Sequence, residues 1–202
     1  MKLYDLKAGM NPRRGRIFLA EKGIEGPRVD VDMMKGENAT PAFLALNPLG
    51  KLPVLELDDG TVLTESMAIC RYFEELHPEP PLFGRDPLDR AKVEMWNRRM
   101  ELEIAYPMTQ VFQHGYEFWK GRITQVPAFG EVCREKLRDR MNWLDAELAD
   151  RNYIAGDSYT VADITAQCGL LMGKAVDMRI PETLENLSRW YASVVSRPTA
   201  RA

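Results

Sequence analysis

Asn47-Pro48-Leu49-Gly50-Lys51-Leu52-Pro53-Val54-Leu55, followed a few residues later by Thr64-Glu65-Ser66, is the stretch on which the reading of this chain turns. Asn-Pro and Gly50 mark a turn that feeds Pro53 into an apolar run, Val54-Leu55-Glu56-Leu57. Asp58-Asp59-Gly60 then reverses the chain into Thr61-Val62-Leu63, because Asp-Gly readily takes the backbone conformation of a tight hairpin. Two antiparallel strands are expected here, and Met67 to Leu76 keeps helical spacing directly after them.

Outward from this segment the same grammar continues. Leu3 to Leu6 and Val29 to Val31 read as strands, Arg14 to Lys22 as a helix ended by Gly23, and Ala42 to Leu46 as a short helix. The order β-α-β-α-β-β-α predicts a small sheet with helices on its faces. His77-Pro78-Glu79-Pro80-Pro81 ends the last helix, since proline lacks a donor and pushes the preceding residue out of helix. We therefore expect a first domain over 1–78, a linker over 79–86 and an all-α second domain over 87–202. In the latter, Leu88, Ala91, Met95 and Leu102 form one apolar stripe and Trp96, Met100 and Ile104 another, so the helix is covered on two sides. Pro107 should kink it, and helices at about 128–149, 161–174 and 184–196 follow.

Composition excludes several classes. With 202 residues, 45% apolar and 28% charged, the chain is globular, not disordered or fibrous. Its 27 basic residues against 30 acidic ones, with no long run of either sign, argue against nucleic acid as a partner. No apolar run approaches the roughly 18 residues of a membrane span. Cys70, Cys133 and Cys168 are odd in number and show no Cys-x-x-Cys spacing, which suits a reducing compartment, so a cytoplasmic location is expected. His77 and His114 have no neighbours at metal-ligand spacing, and no metal is expected.

Nearly the whole chain resembles the glutathione S-transferase superfamily. The features that carry this are Asn-Pro-x-Gly-x-x-Pro at residues 47–53, Glu65-Ser66 opening a helix, Tyr159-Thr160-Val161-Ala162-Asp163-Ile164, and the ending Trp190 to Arg197-Pro198. The resemblance implies an α/β thioredoxin-like N-terminal domain followed by an all-α helical C-terminal domain. It implies glutathione as co-substrate without a metal, attack of its thiol on a small electrophile or a disulfide, a role in detoxification, and a homodimer. Glutathione offers an ammonium, two carboxylates, peptide groups and a thiol. By the resemblance, Lys51 meets the glycyl carboxylate, and a cis Pro53 lets the Leu52 main chain pair with the cysteinyl unit like an added strand. Ser66 at the helix start meets the γ-glutamyl carboxylate and Glu65 its ammonium. Taken singly, these residues also read as a turn proline, a polar helix cap and a solvated lysine.

The first loop, Ala8-Gly9-Met10-Asn11-Pro12, departs from the commonest pattern: it holds no serine or cysteine where many members keep the thiol-activating residue. It is most like a bacterial type with transferase and disulfide-reductase activity, whose Thr-Pro-Asn loop matches Asn11 while Gly9 replaces the threonine. Asn11-Pro12 equally reads as a helix cap followed by proline at the first helical position. Tyr4 is a further candidate activator but suits a strand packed in the sheet. The missing hydroxyl favours an alternative, a non-catalytic binding or interaction module of the same fold. Thr160 to Asp163 forms a capping box and is assigned to folding. Asn97 and Arg99, on a helix dense with charge, are expected to face solvent. Met10, Tyr106, Met108, Phe112 and Trp119 are candidates for an apolar pocket that takes the second substrate, or for ordinary helical core.

Overall fold

The computed structural model describes residues 1–202, and each expected strand is present, shifted or shortened by one residue. The chain divides into two units, Met1–Pro81 with Arg201–Ala202, and Leu82–Ala200. In the first unit β1 (Lys2–Asp5) runs parallel to β2 (Arg28–Asp30) and antiparallel to β3 (Val54–Glu56). β3 pairs antiparallel with β4 (Val62–Thr64), so the sheet order is β2-β1-β3-β4.

Side chains alternate across this sheet. Leu3 and Leu55 point to the face covered by Leu19 of α1 (Met10–Glu21) and Phe73 of α3 (Ser66–Leu76). Tyr4, Val54 and Val62 point to the other, where they pack with Phe43 of α2 (Pro41–Leu46). Asp5 also points inward; its carboxylate pairs with Arg16 at 2.5 Å, both side chains being 4% exposed. The same guanidinium donates to the carbonyls of Leu6, Lys7 and Ala202, which fixes the chain leaving β1 and places the last two residues with the first unit instead of the second.

The second unit is all-α: α4 (Pro87–Met100), α5 (Tyr106–Gly115), α6 (Pro127–Glu147), α7 (Val161–Met172) and α8 (Glu185–Val195). Asp86 caps α4 by accepting from the Leu88 and Asp89 N–H groups. α7 is buried from Val161 through Leu170 and forms the centre. The break expected at Pro107 takes the form of a π-turn over Glu101–Ala105 just before it, with the Tyr106 N–H reaching the Glu101 carbonyl. Proline cannot bond to the carbonyl four residues back and its ring collides with it; the wider turn removes both problems without ending the helix. The two apolar stripes have different fates: Trp96, Met100 and Ile104 are buried, whereas Leu88, Met95 and Leu102 are exposed.

Candidate functional site

Tyr4 pairs with Val54 and Val54 with Thr64, both in antiparallel register. The C-terminal end of β1, the N-terminal end of β3 and the C-terminal end of β4 therefore lie at one end of the sheet. The connections there are the loop before α1, the Asn47 to Pro53 segment and the Glu65 junction into α3. Residues far apart in sequence are gathered in this way into one cluster.

The middle connection is held rigid from inside. Asn47, nearly fully buried, donates from Nδ2 to the Lys51 carbonyl at 2.8 Å and accepts from the Leu49 N–H at 3.1 Å. Asn38 Nδ2 donates to the Gly50 carbonyl at 2.8 Å. Gly50 sits at φ +60, where a side chain is strained, and a Cβ there would come within 3.1 Å of the Asn38 carbonyl. The Leu52-Pro53 peptide is cis. The Leu52 main chain lies just outside the β3–β4 ladder, which begins at Val54, and the Lys51 ammonium is exposed without a partner.

The third connection is strained. Glu65 adopts φ 65, ψ 116, a conformation costing a non-glycine residue about 1–3 kcal/mol, and its exposed carboxylate has no partner. Its side chain gives no cap to α3, so the first N–H groups of that helix have no side-chain acceptor there. Ser66 follows, 5% exposed, its Oγ accepting a 2.7 Å bond from Arg14 Nη1.

Arg14 is the residue that sequence reasoning missed. It is 2% exposed, yet no carboxylate pairs with it: Nη1 meets only the Ser66 hydroxyl and, at 3.1 Å, Asn11 Oδ1, while Nε is buried with no acceptor. A buried cation satisfied only by neutral groups is a costly arrangement unless an anion arrives from outside. One guanidinium thus ties Asn11 and Ser66, 55 positions apart in the chain, into a single cluster.

The first loop corrects the cap expected at Asn11. α1 begins at Met10 with Gly9 extended at the N-cap, and its first bond runs from the Arg13 N–H to the Gly9 carbonyl at 3.0 Å. Pro12 is the third helical residue, still among the N–H positions that have no intrahelical acceptor, so its missing donor loses nothing. Gly9 is enforced: a Cβ there would lie 2.9 Å from Pro12 Cδ and 3.1 Å from the Leu6 carbonyl, which leaves no room for serine or threonine. Tyr4, the other candidate activator, is already occupied. Its hydroxyl donates to Glu56 at 2.7 Å, a bond that raises its pKa above the ordinary phenol value, and its ring packs edge-on against Phe43.

In the second unit the apolar candidates separate. Met108 is core at 0% exposure, Tyr106 is 54% exposed, and Phe112 stacks on Tyr116 in a cluster with Phe118 and Trp119. Asn97 does not face solvent but is buried, its Oδ1 accepting from Thr165 at 2.7 Å. His114 Nδ1 accepts the Val126 N–H at 3.0 Å, fastening the segment before α6. No group of three His, Cys, Asp or Glu side chains is placed to hold a metal ion.

A thioredoxin-like sheet domain followed by a helical unit is the architecture of the glutathione S-transferases. Residues 10–76 match the family model described as glutathione S-transferase, N-terminal domain, and residues 126–198 the one described as glutathione S-transferase, C-terminal domain; the chain belongs to this family. It is 38% identical to glutathione S-transferase 2 of Saccharomyces cerevisiae, with 100% of this chain and 88% of that protein covered. The crystal structure of Gtt2 from the same yeast superposes with a TM-score of 0.92, covering 100% of this chain and 99% of the other. A glutathione S-transferase domain-containing protein of Marinobacter aquaeolei, also 38% identical, superposes at 0.93 over 98% and 99% of the two chains. Elongation factor 1-gamma 2 of rice is 33% identical over 90% of this chain, which spans 44% of that longer protein.

Proposed function

We propose that the protein binds reduced glutathione at this end of the sheet, lowers the pKa of its thiol, and directs the thiolate at an electrophilic carbon or a disulfide. The observation that carries this reading is Arg14, a buried guanidinium lacking an anion and touching Ser66. The γ-glutamyl carboxylate, bound at Ser66 and the start of α3, supplies the missing negative charge. Glu65 takes the γ-glutamyl ammonium, the Leu52 main chain pairs with the cysteinyl unit, Pro53 shapes that segment, and Lys51 takes the glycyl carboxylate. Both ends of the tripeptide are then held by opposite charges.

The sulfur lies against Asn11 and the first turn of α1, which carries no acidic side chain to offset its positive end. A free thiol titrates near 8.5, and lowering it by about two takes roughly 2.7 kcal/mol. A hydrogen bond from Asn11 Nδ2 to the thiolate supplies about 1.5–3 kcal/mol and the helix end roughly 0.3–1. Asparagine cannot accept the proton, which leaves to solvent. The thiolate then forms the new S–C bond as the leaving group departs with its electron pair, or displaces one sulfur of a disulfide. The three cysteines are free and buried, in keeping with a reducing, cytoplasmic setting.

The test is binding followed by chemistry. Glutathione at a hundred times its dissociation constant should stabilise the protein by about 2.7 kcal/mol, seen as a rise in melting temperature, and aromatic halides, epoxides and mixed disulfides should then reveal turnover. No thermal shift at millimolar glutathione, with no heat of binding, rejects the reading. The rice relative, named for an elongation factor, supports the second one, a binding module without turnover. Glutathione binding with no reaction across the panel would favour it.

The exposed stripe Leu88, Met95, Leu102 and Tyr106 along α4, the π-turn and α5 is suited to a second copy of this chain, and we assign it to a two-fold homodimer. Sedimentation at micromolar concentration should give twice 23.1 kDa, and Met95→Glu with Leu102→Glu should give the monomer. A parent that sediments only as 23.1 kDa disproves the dimer.

A further inference from the structure

We propose that Arg14 is a positioning residue for thiol activation, acting through Asn11. The inference rests on the reading above, in which the glutathione sulfur lies at Asn11. A carboxamide has two unlike ends, an oxygen that only accepts and an NH2 that only donates. A thiolate is stabilised by the second and repelled by the first, so an asparagine activates a thiol most effectively when its amide is held one way round.

Asn11 is exposed, and the single bond its side chain makes within the protein is the 3.1 Å contact from Arg14 Nη1. A guanidinium has five donors and no acceptor. The amide must therefore turn its oxygen to Arg14, which aims both Nδ2 hydrogens away from it. The two residues stand three apart on α1, a spacing that puts their side chains on the same face.

The guanidinium is itself buried and bonded on both sides of the loop–helix junction. It is 2% exposed, and the same Nη1 also donates to Ser66 Oγ at 2.7 Å at the start of α3. The orientation of the amide is thus fixed from α3, the element that reads the γ-glutamyl end. Charge alone would not do this: a lysine at the position carries the charge but lacks the planar fork that serves two acceptors at fixed angles.

The experiment follows thiolate absorbance against pH in complexes saturated with glutathione. It compares the parent, Asn11→Ala, Arg14→Met, Arg14→Lys and the double variant Asn11→Ala/Arg14→Met. Asn11→Ala should raise the bound thiol pKa by about one to two, the loss of one hydrogen bond to a charged group. Arg14→Met should raise it by the same amount, Arg14→Lys should not restore it, and the double variant should match Asn11→Ala alone, because the two residues act as one unit. Additive shifts, rescue by lysine, or an Arg14→Met complex that titrates like the parent would each overturn the proposal, leaving Arg14 as a bound charge only. An Asn11→Ala complex that titrates like the parent instead rejects Asn11 as activator, and absence of glutathione binding in the parent rejects the ligand. Should Arg14→Met bind too weakly to saturate, relaxation of the Asn11 side-chain amide in the ligand-free protein decides. It should be ordered in the parent and mobile in the variant, and equal order in both overturns the proposal.

Discussion

Asp163→Ala should destabilise the protein by about 4 kcal/mol at neutral pH, lowering the melting temperature by about 8–16 °C for a chain of this size. The side chain is 0% exposed and binds together three parts of the helical unit. Oδ1 accepts the Ile154 N–H at 2.9 Å and the Trp190 indole N–H at 2.8 Å; Oδ2 accepts the Thr160 N–H at 2.9 Å and its hydroxyl at 3.2 Å. Alanine leaves three buried N–H donors without an acceptor, each worth about 1–3 kcal/mol, and relief of the buried charge offsets only part of that. The pH dependence is opposite to that of most carboxylates. Burial pushes the Asp163 pKa up to about 6, against about 3.9 in the unfolded chain. Between these values the folded state binds the proton and the unfolded state does not, so the stability Asp163 contributes is greatest at the acid end and declines as pH rises through 6. Scanning calorimetry should find the parent-minus-variant difference about 1 kcal/mol larger at pH 5 than at pH 7. An equal difference at both would mean that the buried carboxyl titrates as it does in water.

The second large effect concerns the ligand. Glutathione lacking only the α-carboxylate of its γ-glutamyl unit should bind the parent about 10- to 150-fold more weakly than glutathione. In the proposed binding mode that carboxylate makes a charge-assisted contact with the Arg14 and Ser66 pair, worth about 1.5–3 kcal/mol. In Arg14→Met the two ligands should bind almost alike, both weakly. Titration calorimetry of the four combinations measures the coupling directly. If the carboxylate matters as much in Arg14→Met as in the parent, Arg14 is not its partner, and the buried guanidinium must be explained by the protein alone.

The sheet unit is legible because each of its elements is announced by local chemistry. Asp58-Asp59-Gly60 can hardly be anything but a hairpin turn, and the alternation of Leu3, Tyr4 and Asp5 appears directly in what each side chain faces. Asn47 to Pro53 and Glu65-Ser66 mark their connections through residue types that special backbone conformations demand. Arg14 was hidden because Arg13-Arg14-Gly15-Arg16 looks like a solvated charge run. The signal was its spacing: Arg14 stands three and four positions before Ile17 and Phe18, both 0% exposed, and so shares their inward face. The π-turn was illegible for a different reason. Pro107 announces a fault in the helix, but a change of period lasting five residues leaves the apolar pattern on either side almost intact. Asn97 deceived because its partner, Thr165, lies 68 positions away and belongs to another helix.

The crowding at Gly9 bears on the order in which substitutions can accumulate. A hydroxyl-bearing residue introduced there alone drives its Cβ into Pro12, so a serine or threonine at position 9 meets a barrier before it can share the role proposed for Asn11. Replacing Pro12 first removes the tighter contact and leaves only the Leu6 carbonyl at 3.1 Å, yet that change brings no advantage of its own at a position where the proline shortens the menu of unfolded conformations. The favourable second step lies behind an unrewarded first one. A chain carrying Gly9 and Pro12 together is thereby held to a loop without a hydroxyl at position 9, and the route to one is a two-step path whose order matters.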